Sequence, residues 1–150
     1  MVSWSEFAAA APEMAQRGAE RFGVGVAYLA TTAKDGAPRV HPVTPLIADW
    51  RLCAFIAVAT PKYHNLRRDG RCALHAVLGQ DDEEFVVTGR AVVANDWASR
   101  LLAAVEARKI GMTSKDDVLH EFHIERAHWA IWQGLGTPEI RVVRKHWPSS

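Results

Sequence analysis

Apolar and polar positions change rhythm several times along the chain. Residues 6–20 are rich in Ala, Glu, Gln and Met, which favour helix. Ser3-Trp4-Ser5-Glu6 reads as a capping box, with Ser3 capping the first turn and Glu6 reaching back. Pro12 interrupts any helix it sits in, so the N-terminal helical region, residues 3–20, is expected in two pieces. Past Gly23 and Gly25, residues 24–32 hold Val, Tyr, Leu and two Thr, a strand composition. Lys34-Asp35-Gly36 supplies a turn, and residues 37–47 run back as the second arm of a hairpin. Asp49-Trp50 turns again, and residues 52–60 make a nearly all-apolar third strand.

The next element has clear boundaries. Thr60 stands at an N-cap, Pro61 at the first helical position, and Gly70 follows Arg67 and Arg68 at the stop. A short helix over residues 61–69 follows from this. Residues 71–78 read as a fourth strand and residues 84–94 as a fifth, with the acidic loop 79–83 between them. Asn95-Asp96 caps a helix over residues 97–108, and residues 113–118 read as a short helical turn with Ser114 and Asp117 as its capping pair. Residues 121–133 and 140–147 complete the pattern as two strands joined by a turn. Six or seven strands in hairpin order with helices outside predict an antiparallel, barrel-like β fold. A doubly wound parallel sheet needs a crossover between paired strands, and the first three strands have none.

Composition narrows the classes. With 49% hydrophobic and 23% charged residues, the 150-residue chain has an ordinary globular balance and reads as one domain over residues 1–150. A net charge of +1 gives no field to draw in nucleic acid. The apolar runs are too short for a bilayer span, and the alanines at 8–11 lack the basic flank of a signal peptide. Cys53 and Cys72 do not make a disulfide scaffold, so a reduced cytoplasmic setting is expected. Six tryptophans are many for this length, and some are expected at a partner or ligand surface.

Two segments carry candidate chemistry. In Thr60-Pro61-Lys62, a lysine at the second helical position opposes the helix dipole, at a cost of roughly 0.3–1 kcal/mol unless an anion sits there. First-turn amides and the Lys62 ammonium together would seat a phosphate, although a solvated lysine satisfies the same pattern. In Pro38-Arg39-Val40-His41-Pro42-Val43-Thr44-Pro45, three prolines predict an edge or interrupted strand, with Arg39, His41 and Val43 on one face. Arg39 could hold a phosphate in its fork, or merely protect the edge. A metal site is rejected. His120 and His123 lack zinc-helix spacing, and Cys72 and His75 point to opposite strand faces. No Gly-x-Ser-x-Gly elbow and no Gly-rich phosphate loop is present. Glu84, opening a strand, is the one residue of the acidic run that could face a ligand.

The ordered set of these segments resembles the pyridoxamine 5′-phosphate oxidase-like flavin-binding split barrels. Leu29-Ala30-Thr31-Thr32, Asp35-Gly36 and Pro38-Arg39 resemble the family's opening hairpin. Thr60-Pro61-Lys62 followed by Asn65-Leu66, Arg68-Asp69 and Arg71 is similar to its phosphate helix, and Thr88-Gly89-Arg90-Ala91 to its next strand. Trp132-Gln133-Gly134 is similar to a late tryptophan segment. Pro61 stands where flavin oxidases of the family often carry a second basic residue, and Glu84 where they often carry Gln.

The resemblance implies a mainly β fold with flanking helices, a six- to seven-stranded antiparallel split β-barrel of Greek-key type over residues 24–147. It implies a homodimer with FMN at the interface and an oxidoreductase acting on a small molecule. Lys62 and Arg39 would hold the phosphate, and Val40, His41, Pro42 and Val43 would line the flavin. Thr60 would cap the helix and touch phosphate, Asn65 belongs to the cofactor set, and Trp132 would approach from the other subunit. Two alternatives share the fold. One holds the deazaflavin coenzyme F420, whose longer anionic tail would use Arg67, Arg68 and Arg71. The other is a flavin or haem binding module without turnover. No acid or base is assigned; His41 is a candidate because imidazole titrates near neutral pH.

Overall fold

A computed structural model describes residues 1–111 and 116–148. Its elements are α1 (Trp4–Ala10), α2 (Pro12–Phe22), β1 (Ala27–Thr32), β2 (Pro38–Val43), β3 (Leu46–Ala48), β4 (Arg51–Ala57), α3 (Pro61–Arg68), β5 (Arg71–Ala76), β6 (Glu84–Val93), α4 (Trp97–Lys109), β7 (Asp117–Gln133) and β8 (Arg141–Trp147). The strands form one antiparallel sheet in the order β2-β1-β5-β6-β7-β4-β3, with β8 paired to the far half of β7.

This order makes the sheet curl. β2 and β3 end opposite sides of the seven-strand path, yet only Thr44 and Pro45 separate them in the chain. Three Cα steps reach at most about 11 Å, so the two edges must lie side by side. The result is a barrel with an unpaired seam between β2 and β3. The expected second arm, residues 37–47, is therefore two strands, and the described residues hold eight strands in all. Pro45 has no N–H for a ladder, and the chain changes sheet edge there.

β4 runs through both sides of the packing. Leu52, Ala54 and Ile56 belong to the barrel core, while Cys53 packs with Ala94, Ala103 and Leu119 beneath α4, and Phe55 lies against that second cluster. Burial on both faces explains its unbroken apolar run. One end of the core is a cluster of rings from α1, α2, β6 and β8. Phe22 meets Phe85 edge-on at 5.5 Å, and Phe7 meets Trp147 at 5.2 Å. The Ser3–Glu6 capping box holds α1 as expected, and Pro12 starts α2.

β7 is 17 residues long and begins at Asp117, four residues before the expected start, because residues 117–121 pair with β4. The expected turn at residues 113–118 falls partly outside the described residues, Ser114 included; its last two residues already belong to β7. β6 and β7 slip register between Thr88 and Gly89, leaving Glu125 as the extra residue. This bulge bends the long strand so that its first half faces β4 and its second half β8. Among the described residues no helix is long and apolar enough to cross a membrane.

Candidate functional site

The site is built where β4 hands over to α3, above the seam. Thr60 takes the extended conformation of an N-cap (φ −92°, ψ 148°). Its hydroxyl does not cap the helix, contrary to the expectation from sequence. It donates to the Ala57 carbonyl at 2.7 Å, satisfying the turn before the helix instead. The first intrahelical bond is the long one from the His64 amide to the Thr60 carbonyl, 3.4 Å. The amides of Lys62 and Tyr63 have no protein partner among the described residues.

Lys62 does not swing into solvent. Its ammonium donates to the Pro42 carbonyl on β2 at 2.9 Å, spanning the seam. Burial pulls its pKa below the ordinary lysine value, and Asp117 opposes this only through space. A carbonyl is a weak substitute for an anion, so the cation stands under-compensated beside two open amides.

β2 supplies the other wall. It is the edge strand its prolines predict, paired only with β1. Arg39, His41 and Val43 lie opposite Thr31, Leu29 and Ala27, on the inward-facing side, and grow more buried toward Val43. Burial first, then the charges of Lys62 and Arg39, push the His41 pKa down, so its ring is neutral near pH 7. Its Nε2 is buried without a partner. Arg39 is exposed and makes no ion pair among the described residues. Two unpaired cations, a neutral imidazole and two open amides thus share one electrostatic field.

The other expected residues divide. Val40 and Pro42 face outward and are exposed, Val40 at 64%. Val43 is buried in the core. Asn65 is buried, donating from Nδ2 to the Thr31 hydroxyl at 2.9 Å, while its Oδ1 lies 3.5 Å from Arg68. Arg68 also donates to the Thr32 carbonyl, so Asn65 and Arg68 fasten α3 to β1. Arg71 is held in a fork by Asp69, which it drives down to about 2. Of the three arginines considered for a long anionic tail, two are therefore engaged. Trp132 is exposed near the far end of β7, fifteen residues beyond Asp117, on the order of 50 Å of extended chain. Its partner in the sheet is Val142 of β8, whereas Lys62 bonds to Pro42 of β2. Glu84 is engaged as well, with Oε1 2.6 Å from His128 Nε2. Sequence patterning missed the Lys62–Pro42 bridge, whose only advance sign was the cluster of prolines on an edge strand. Burial raises both thiols, Cys53 and Cys72, to about 12, which leaves them unreactive.

Solved structures share this architecture. A heme binding protein from Mycobacterium smegmatis superposes with a TM-score of 0.63 at 18% identity, over 85% of this chain; the match spans 55% of that longer chain. A protein related to general stress protein 26, of the pyridoxinephosphate oxidase family, from Clostridium acetobutylicum gives 0.64 at 14% identity over 87% of this chain and 92% of its own. The heme storage protein HutZ from Vibrio cholerae gives 0.61 at 13% identity over 73% and 89%. At such identities the likeness shows the fold. No curated protein matches the chain. The family model for pyridoxamine 5′-phosphate oxidase matches residues 19–129, which takes in the whole β1-to-α3 site and the strands beneath it. With that match over most of its length and the eight-stranded antiparallel architecture around it, the chain belongs to the pyridoxamine 5′-phosphate oxidase family.

Proposed function

We propose that the protein binds FMN at the β4–α3 junction, in a homodimer, and works as an oxidoreductase on a small molecule. The observation that carries this is the under-compensated Lys62 cation, bridged to the Pro42 carbonyl beside the open amides of Lys62 and Tyr63. An anionic phosphate replaces the weak carbonyl partner with a strong one and satisfies both amides. Arg39 adds its fork from β2. When bound, the flavin supplies hydride chemistry at its ring, and the protein supplies position and field. The β2 backbone, with Val40, His41, Pro42 and Val43, would lie along the ring. Neutral His41 keeps an unpartnered nitrogen for hydrogen bonding without adding a third full charge. The distance along β7 from Asp117 to Trp132 supports a tryptophan that reaches the site from a second copy. Engagement of Arg68 and Arg71 favours a short phosphate tail over the longer tail of F420.

A haem binding module without turnover is the second reading. It is supported by two structural neighbours described as heme binding and heme storage proteins, and by the unpartnered Nε2 of His41. Titration of the full chain with FMN and, separately, with hemin decides between them. The FMN reading requires saturable quenching of flavin fluorescence and reduction of the bound flavin by a nicotinamide donor. A Soret band shifted by stoichiometric hemin, with no flavin bound, overturns it in favour of the module.

A further inference from the structure

Among the described residues no three His, Cys, Asp or Glu side chains are grouped to hold a metal ion. Two histidines nonetheless stand in a relation with a chemical consequence. His128 on β7 and His146 on β8 are directly opposite in register, so their side chains share one face of the sheet. Their Nδ1 atoms are 3.2 Å apart, and the rings are 4.6 Å apart at 38°. Such a contact holds only when one nitrogen carries a proton and the other accepts it. A divalent cation can take the place of that shared proton. With metal–nitrogen bonds of about 2.0–2.1 Å, a 3.2 Å separation gives a nitrogen–metal–nitrogen angle of about 100°, between square-planar and tetrahedral values.

The other nitrogen of His128 is already fixed by Glu84 Oε1 on β6, 2.6 Å from Nε2. A carboxylate behind a ligating histidine sets its tautomer and ring orientation at transition-metal sites. With Nε2–H donating to Glu84, neutral His128 offers Nδ1 as the ligand atom. His146 is exposed on the other strand. Its neighbour Lys145 points to the opposite face and pairs there with Glu13, and among the described residues no third His, Cys, Asp or Glu joins the two histidines as a ligand, so water fills the remaining positions. We propose that His128 and His146, oriented by Glu84, form a two-histidine site for a divalent transition-metal ion. Imidazole nitrogen selects Cu²⁺, Ni²⁺ or Zn²⁺ over Mg²⁺ and Ca²⁺. The ligands come from two strands, so the ion fastens β8 to the sheet and stabilises the folded chain by mass action. Eighteen residues separate the two histidines, which is why no local spacing motif reveals them.

The test uses the metal-stripped full chain, titrated with Zn²⁺, Ni²⁺ and Mg²⁺ by calorimetry and by thermal unfolding. Zn²⁺ and Ni²⁺ are expected to bind one per chain and to raise the unfolding midpoint, and Mg²⁺ to do neither. His146→Gln, at an exposed position, keeps the fold and loses at least tenfold in affinity. Glu84→Gln weakens binding by about 10–100-fold, and His123→Gln leaves it unchanged. No saturable binding by the wild-type chain overturns the proposal. So does equal binding by His146→Gln or by a folded His128→Gln.

Discussion

Lys62 and His41 are basic groups held below their ordinary pKa values, and burial is the first cause at both. The sign for stability follows. The unfolded chain binds a proton to His41 more readily than the folded chain, so stability is fully present above the ordinary imidazole range and falls as pH drops through about 6.5. His120, buried and also lowered, acts in the same direction. The ligand-free protein is therefore expected to lose unfolding midpoint between pH 7.5 and 5.5, and His41→Gln to show a shallower loss. A steeper profile in that variant would contradict the assignment. At this scale the sequence was legible where a residue broke a local rule. Lys62 opposes a helix dipole, and prolines crowd a strand. It was not legible where a side chain chooses among partners. The Thr60 hydroxyl turns back to Ala57 within its own turn, and Asn65 turns to Thr31, a choice set by the packing of α3 on β1.

Among the elements, caps and breakers announced themselves. The Ser3–Glu6 box, Pro12, Pro61 and the Asp96 cap of α4 all sit where local chemistry places them, Asp96 accepting from the Ser99 amide at 2.8 Å. The division of β2 from β3 and the early start of β7 depend instead on which strands meet, which no local window contains. The β6–β7 bulge is of this kind. A Cβ at Gly89 would lie 1.9 Å from the His123 carbonyl oxygen, a backbone atom that cannot step aside. Gly89→Ala is expected to cost about 3 kcal/mol in a denaturant titration. A cost near zero would mean the bulge shifts freely. The loop before β6 is fastened differently. Buried Glu83 accepts from Trp129 Nε1 at 2.7 Å and faces Arg21 and Arg17 of α2 at 3.7 and 3.9 Å. Glu83→Ala leaves the indole N–H unpaired and is expected to cost about 2–3 kcal/mol by the same measurement. Glu83→Gln, which keeps an acceptor, costs less.

For the whole molecule the governing feature is the seam between β2 and β3; α3, which leaves β4, is tied to β2 through Lys62 and to β1 through Asn65 and Arg68. The antiparallel barrel-like class was readable from hairpin order, and closure is forced by a two-residue link between opposite sheet edges. The assembly was less readable. Trp4 and Trp129 serve the core, while Trp50, Trp97 and Trp132 are exposed at 71%, 76% and 37%. Pattern alone does not say which indole goes where. If Trp132 completes a site on a second copy, the flavin-loaded protein sediments as a dimer; a monomer carrying bound flavin would contradict an interface site. The most direct test of the account is a fluorescence titration of FMN into the wild-type chain and into Lys62→Ala. It predicts one flavin bound per chain, with affinity lost by at least tenfold, about 1.4 kcal/mol or more, in a variant whose unfolding midpoint is little changed. Equal affinity in the two proteins, or no flavin binding by the wild type, would contradict it.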